Sequence, residues 1–139
     1  MSVNPIEPNQ NLWIDESVRK LFARNDIACL DDLFSIEGTK LDKPTLPSWR
    51  ERVAIDLVDE QGESHRFYVK RFNRKGKRNP LATIVRGGEA RSPARIEHDW
   101  IVRLNESGIS VPNIAAFGEE VTESGRDRSA LVLAEVPGE

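Results

Sequence analysis

The chain has 139 residues, of which 38% are apolar and 31% are charged, and its formal net charge is −3. These values predict a globular protein with a modest core, organised as one domain or as two small subdomains. The single cysteine, Cys29, excludes an intrachain disulfide framework and is expected to be a small core residue, and no apolar run reaches the roughly 20 residues that a membrane-spanning helix needs.

The N-terminal part predicts an extended arm followed by two short helices. Residues 1–11 contain two prolines and three asparagines, which favours an arm. A first helix is expected from Asp15, and either Asp15 or Ser17 can cap it, with Trp13 and Ile14 packing back as a hydrophobic staple. A second helix is expected over residues 30–36. Both helices carry apolar residues at helical spacing, namely Val18, Leu21, Phe22, Leu30, Leu33 and Phe34. We expect them to serve in packing only.

A β-hairpin is the next predicted element. Residues 52–58 and 66–72 are rich in β-branched and aromatic residues, and the turn at 59–62 ends in a glycine that can adopt a positive φ. The preceding residues 39–49 contain two prolines and can hold only a short or edge strand. Lys70 stands in the middle of the second hairpin strand. It is either a solvated lysine on a half-exposed face or a phosphate-binding lysine held by a helix carboxylate.

A basic segment overlaps this strand and continues beyond it. Residues 66–91 contain nine basic residues and one acidic residue, Glu89. Such a segment is typical either of a solvated, mobile loop or of a surface that binds phosphate, nucleic acid or a lipid head group. Residues 73–91 show no sustained period, although a short strand or turn at 82–85 can interrupt the loop.

The clearest helix begins after the basic segment. Ser92 is a good N-cap, Pro93 suits the first helical position, and Gly108 ends the helix after residue 107. Two strands are expected next, at 114–118 and 130–134, and the second is an uninterrupted apolar run that predicts a central strand buried on both faces.

One carboxylate in this helix stands at an apolar position. Glu97 precedes Trp100 by three residues, Ile101 by four and Leu104 by seven, which are the spacings of a single helical face. A carboxylate facing a sheet is costly unless a cation meets it, and Lys70 is the strand cation that could reach it. In the alternative interpretation, Glu97 lies at the edge of the stripe and reaches water or pairs with Arg71 or Arg103.

The order of these elements resembles the N-terminal lobe of the protein-kinase fold and, more narrowly, the lipopolysaccharide kinase (Kdo/WaaP) family. The resemblance covers about residues 30–138 and rests on four stretches, at 66–72, 94–109, 111–119 and 131–136. It implies an α+β fold with an antiparallel β-sheet packed on one main helix and an N-terminal helical extension. The implied boundaries are 1–38 for the arm and short helices and 39–139 for the kinase-like lobe.

The resemblance also implies a function. Lys70 would hold the α- and β-phosphates of ATP with Glu97 as its helix partner, and Glu135 and Val136 would begin the hinge that meets the adenine. The loop before Arg50 would cover the phosphates. Family members use ATP and magnesium to phosphorylate a sugar hydroxyl of the lipopolysaccharide core. Because residues 1–5 show no basic region leading into an apolar one, as a signal peptide would, we expect a cytoplasmic protein. The resemblance adds peripheral contact to the anionic surface of the inner membrane.

Three features depart from the kinase pattern. Residues 43–48 contain no glycine, so a G-x-G-x-x-G loop is absent from the sequence. Tyr68 stands two residues before Lys70, on the same strand face, where protein kinases carry a small alanine, and this predicts a narrower adenine pocket. The sequence contains neither D-F-G nor H-R-D, since His98-Asp99 lies inside the predicted helix. We therefore assign no catalytic residue and no metal ligand, and expect both to come from a C-terminal lobe.

A second hypothesis is a non-catalytic module. In it, segment 66–91 binds nucleic acid or an anionic surface, with Phe67, Tyr68 and Phe72 beside the basic residues. The two histidines, His65 and His98, are expected to be solvated, and with one cysteine they do not form a usual zinc cluster.

Overall fold

The computed structural model describes residues 11–41, 49–74, 92–121 and 127–135. Within these ranges the strands are β1 (Leu12–Ile14), β2 (Thr39–Lys40), β3 (Arg50–Val58), β4 (Ser64–Arg74), β5 (Ile114–Val121) and β6 (Asp127–Ala134). The helices are a 3₁₀ turn (Glu16–Val18), α1 (Arg19–Arg24), α2 (Leu30–Ser35) and α3 (Pro93–Glu106). None of the helices described is long and apolar enough to cross a membrane.

The six strands form one antiparallel sheet in the order β1-β5-β6-β4-β3-β2. The apolar strand β6 lies between β5 and β4, and residues 130–133 are all buried. The prediction of a central strand buried on both faces is therefore confirmed. The antiparallel sheet packed on one main helix is confirmed as well.

Each face of the sheet packs against helices because successive side chains of a strand point to opposite faces. Phe22 of α1 and Leu33 of α2 are fully buried in the core on one face. That core also contains the alternate strand residues Val53, Ile55, Leu57, Phe67, Val69 and Val132. On the other face a smaller core joins α3 to the sheet through Phe72, Ala94, Phe117, Leu131 and Leu133.

Local sequence signals account for the hairpin and for both ends of α3. Gly62 has a φ of +81° in the turn between β3 and β4, as the turn pattern predicted. The Ser92 hydroxyl accepts the backbone N–H of Arg95 at 3.1 Å, which caps α3. Gly108 has a φ of +83°, and the backbone N–H of Ile109 donates to the Leu104 carbonyl at 3.0 Å. These contacts close the helix in a Schellman motif.

The N-terminal segment differs from its prediction. Trp13 and Ile14 belong to the edge strand β1, which pairs with β5, and do not form a helix staple. Asp15 does cap the 3₁₀ turn, because its side chain accepts the backbone N–H of Ser17 at 3.2 Å. The arm predicted over residues 1–11 lies outside the described residues except for Asn11. The boundary at residue 38 stays a prediction.

The inward face of α3 is also different from the predicted one. Trp100 is 57% exposed, whereas Ala94 is fully buried and Ile101 packs against the sheet. In an α-helix, residue 100 lies about 120° around the axis from residue 94. The stripe facing the sheet therefore runs through Ala94, Glu97, His98 and Ile101. The prediction placed Trp100 on the inward face because it is large and apolar. It overlooked Ala94, whose small side chain allows α3 to approach the strands.

Candidate functional site

The site is built on β4, where alternate residues serve opposite faces of the sheet. Tyr68 and Lys70 point toward the side of the sheet that carries α3. Phe67, Val69 and Arg71 point toward α1 and α2. The alternation follows from strand geometry and places Lys70 opposite Arg52 on β3 and Leu131 on β6.

Lys70 and Glu97 are in direct contact. The Lys70 ammonium donates a hydrogen bond to Oε1 of Glu97, and the two side chains are 19% and 30% exposed. Glu97 is brought there by the inward stripe of α3. The predicted contact between the two residues is confirmed, and it holds the lysine charge in one position on the α3 side of the sheet.

Arg71, one of the alternative partners of Glu97, is placed elsewhere. Arg71 lies on the opposite face of β4 and is only 9% exposed. Its guanidinium donates to the carbonyls of Leu33 at 2.7 Å and Ile36 at 2.6 Å and to the Glu51 carboxylate at 2.7 Å. Arg71 thus ties the end of α2 to the sheet. Sequence reasoning missed this role, because no local pattern marks a basic residue that caps distant carbonyls.

A cavity of about 430 Å³ opens beside Lys70 on the α3 side of the sheet. The described residues that line it are Leu41, Arg52, Tyr68, Lys70, Pro112, Leu133, Ala134 and Glu135. Two of them, Arg52 and Lys70, are cations on adjacent strands. Leu41, Pro112 and Leu133 give the same cavity an apolar surface. A mainly apolar lining with a few charged groups is the usual character of a small-molecule site.

Tyr68 and Glu135 meet at another part of the cavity wall. The Tyr68 hydroxyl donates to Oε2 of Glu135 at 3.0 Å, and this bond to a carboxylate raises the pKa of Tyr68. Tyr68 lies on the same strand face as Lys70, as expected. Glu135 is exposed and directly follows β6, and its backbone N–H donates to the Arg66 carbonyl at 3.2 Å. Val136 and residues 42–48 lie outside the described residues.

A second polar cluster fixes the start of α3. Glu119 on β5 accepts hydrogen bonds from the Ser92 hydroxyl at 2.8 Å and from Nε of Arg95 at 2.7 Å. Ser92 is fully buried, so this cluster sets where the helix begins relative to the sheet. It positions Glu97 one turn further along.

The basic segment is only partly described. Residues 75–91 lie outside the described residues, and their predicted role in binding anions stays a prediction. Within the described part, Arg66 pairs with Asp56 at 3.0 Å. Phe67 and Phe72 are each 4% exposed. The expectation that these two rings would contact nucleic acid was wrong, because both are packed in the core.

Two smaller expectations also change. His98 was expected to be solvated, but its ring stacks on Phe117 with centroids 4.9 Å apart. Cys29 is half-buried and lies at the N-terminal end of α2, so it is not a core residue. His65 is exposed, as expected, and contacts Asp59 at 2.7 Å.

Comparison with known proteins gives one structural likeness. No family model matches the sequence, and no curated protein matches it. The fold is similar to a solved structure of WaaP in complex with acyl carrier protein, with a TM-score of 0.58 and 19% sequence identity. The match covers 91% of this chain and 41% of that chain. At this identity it shows a WaaP-like fold and no more, and this chain spans well under half the length of its neighbour.

Proposed function

We propose that the chain is the ATP-binding N-terminal lobe of a kinase of the lipopolysaccharide-kinase type. In this proposal Lys70 binds the α- and β-phosphates and Glu97 holds Lys70 in position. Glu135 and Val136 begin the hinge. With a C-terminal lobe in place, the enzyme transfers the γ-phosphate of ATP to a sugar hydroxyl.

The observation that carries the proposal is the Lys70–Glu97 ion pair at the wall of the cavity. A strand lysine paired with a helix glutamate is the arrangement that kinases use to hold nucleotide phosphates. A free lysine would lose rotamer entropy on binding, whereas a lysine already held by a carboxylate has lost most of it. The pair is therefore suited to a fixed polyanionic ligand.

The order of elements supports the same proposal. A hairpin carrying the lysine is followed by the helix carrying the glutamate, and two strands lead from that helix to Glu135. In the sheet, β6 lies directly beside the lysine strand β4, so the residue after β6 returns to the cavity. This is the order that the resemblance implies for a kinase lobe, and the WaaP-like fold agrees with it.

The cavity has the chemistry that ATP requires. Arg52 and Lys70 offer donors to phosphate oxygens, while Leu41, Pro112 and Leu133 offer an apolar surface to a base. The described lining of the cavity offers few oxygen ligands for magnesium. Glu135 is the one carboxylate among the described residues lining the cavity, and it already accepts the Tyr68 hydroxyl. The ion would be held by the phosphates and by carboxylates of the C-terminal lobe.

The acceptor and the location follow from the resemblance alone. A lipopolysaccharide sugar is presented at a membrane surface, so we propose a cytoplasmic enzyme in peripheral contact with the anionic inner membrane. Basic residues of segment 66–91 would favour such contact, because anionic lipids attract clustered lysine and arginine.

Nucleotide binding tests the proposal. Binding of ATP to the purified chain would be measured by calorimetry for the wild type, Lys70→Met and Lys40→Met. Lys40 is a matched control, since it pairs with Glu51 at 3.1 Å and does not line the cavity. We expect the wild type to bind ATP and Lys70→Met to bind it at least about tenfold more weakly, because a charge-assisted hydrogen bond is lost. Lys40→Met should bind like the wild type.

Two results would contradict the proposal. One is a wild-type chain that binds no ATP at millimolar concentration while its circular dichroism shows it folded. The other is a folded Lys70→Met variant with unchanged affinity.

A further inference from the structure

We propose that Arg52 is a second phosphate-binding residue of the cavity and makes the site selective for nucleoside polyphosphates over nucleosides. The inference rests on the proposed function and extends it to a residue on β3. It assigns to a side chain the phosphate contacts that kinases make with a glycine-rich loop.

The strand register places Arg52 directly beside Lys70. The two residues are cross-strand partners in the β3–β4 pair, so their side chains leave the same face of the sheet. Both line the cavity. Arg52 is exposed and Lys70 is half-buried.

Arg52 and Lys70 differ in charge pattern from the other cross-strand pairs of charged residues in the hairpin. Two other positions also put charged residues directly opposite each other, and both pairs are complementary. Arg66 meets Asp56 at 3.0 Å and Arg71 meets Glu51 at 2.7 Å. Arg52 and Lys70, in contrast, are both cations.

An anionic ligand in the cavity would meet two cations on adjacent strands. Glu97 accepts a hydrogen bond from Lys70 and so fixes the ammonium at the cavity wall. A phosphate group between Arg52 and Lys70 would contact both cations through charge-assisted hydrogen bonds. The like-charged pair of the hairpin is also the one that faces the cavity, which fits a ligand-binding role.

Arginine suits this position chemically. Its planar guanidinium has five donors and can bind a phosphate with two parallel hydrogen bonds. A glycine-rich loop provides backbone N–H donors for the same purpose, and residues 43–48 contain no glycine. An exposed guanidinium next to a fixed ammonium provides equivalent donors without such a loop.

The inference predicts how affinity depends on the number of phosphates. The wild-type chain should bind ATP and ADP more tightly than AMP, and AMP more tightly than adenosine. In Arg52→Gln the affinity for ATP should fall about tenfold, the scale of one charge-assisted contact, while the affinity for adenosine stays the same. Arg66→Gln is the matched control, because it removes the same charge from the same hairpin face outside the cavity lining.

Calorimetric titrations of the four ligands into the wild type, Arg52→Gln, Arg52→Lys and Arg66→Gln would test this. Arg52→Lys keeps the charge and should recover part of the ATP affinity, and it serves as the second variant if Arg52→Gln does not fold. An unchanged ratio of ATP to adenosine affinity in a folded Arg52→Gln variant, with Lys70→Met still impaired, would overturn the role of Arg52 and leave the proposed function standing. A wild-type chain that binds none of the four ligands would overturn both.

Discussion

Lys70 and Arg71 are adjacent in the chain, yet their side chains serve opposite faces of the sheet. Lys70 reaches Glu97 on α3, whereas Arg71 is buried against α2 and donates to the carbonyls of Leu33 and Ile36. One strand therefore carries both a candidate ligand-binding cation and a structural cation. The two are separable by mutation because they share no partner among the residues that the structure describes.

Replacement of Arg71 tests its structural role. In Arg71→Met the carbonyls of Leu33 and Ile36 lose this donor, and among the described residues Glu51 keeps only Lys40. Unsatisfied groups at a buried site destabilise a protein. We expect the free energy of unfolding to fall by about 2–4 kcal/mol, measured by urea denaturation. The control, Arg66→Met, removes an exposed arginine of the same strand and should unfold at nearly the wild-type urea concentration. An Arg71→Met variant as stable as this control would argue against the buried arrangement.

The Lys70–Glu97 contact can be measured without any ligand. A double-mutant cycle of Lys70→Met and Glu97→Gln, monitored by urea unfolding, isolates the interaction between the two side chains. Since the pair is partly exposed, we expect a coupling of about 1 kcal/mol, at the upper end of values for surface pairs. A coupling of zero would mean that the two side chains do not stabilise each other in solution.

The sequence predicted the elements whose signals are local. Gly62 at the hairpin turn and Ser92 and Gly108 at the ends of α3 act through their own backbone or the next few residues, so the chain reveals them. Strand β1 has only three residues, and its partners Ala116–Gly118 lie about a hundred positions away. No local pattern records such a pairing.

The candidate site was partly predictable for a similar reason. Helix periodicity places Glu97 on the face of α3 that packs on the sheet, and Lys70 is a charged residue in the middle of a strand. Both features can be recognised in the sequence. Arg52 gave no such signal, since an arginine in a half-exposed strand is ordinary and acquires meaning only from the register that sets it opposite Lys70. The register depends on the whole hairpin, and the sequence alone did not identify the pair.

The acid stability of the fold should depend on Asp32. Its carboxylate accepts the backbone N–H groups of Ala28 at 2.8 Å and Cys29 at 3.1 Å, and these bonds, the one from Ala28 most, lower the pKa of Asp32. A lowered pKa in the folded state means that the ionised group stabilises the fold above its ordinary pKa. That contribution is lost as the pH falls through the folded-state pKa.

The measurement is urea unfolding of the wild type and Asp32→Ala between neutral and acidic pH. At pH 7 we expect the variant to be less stable by about 1 kcal/mol, the usual effect of losing a helix cap. The difference should shrink below about pH 4, where the carboxyl group in the unfolded wild type is protonated. Glu37→Ala removes an exposed carboxylate near the same helix and should show no such change. A stability difference that stays constant with pH would contradict the assignment.

Tyr68 offers a direct report on the cavity, because it is the only tyrosine in the sequence. Its hydroxyl donates to Glu135, so losing the proton would break the bond and bring two negative charges together, which raises the pKa of Tyr68. In Glu135→Gln we expect that pKa to return toward its ordinary value of about 10. The tyrosinate absorbance of the two proteins during an alkaline titration gives both values, and equal values would show that the bond is absent in solution.

The same bond makes a prediction about stability at high pH. A raised pKa in the folded state means that the protonated hydroxyl stabilises the fold below the ordinary tyrosine pKa and that this contribution disappears as the pH rises through the folded-state value. The wild type should therefore lose stability over that interval more steeply than Tyr68→Phe, which keeps the ring but has no proton to release. If the two proteins lost stability in parallel, the Tyr68–Glu135 bond would contribute nothing to the fold, and its place at the cavity wall would have to be explained by ligand binding alone.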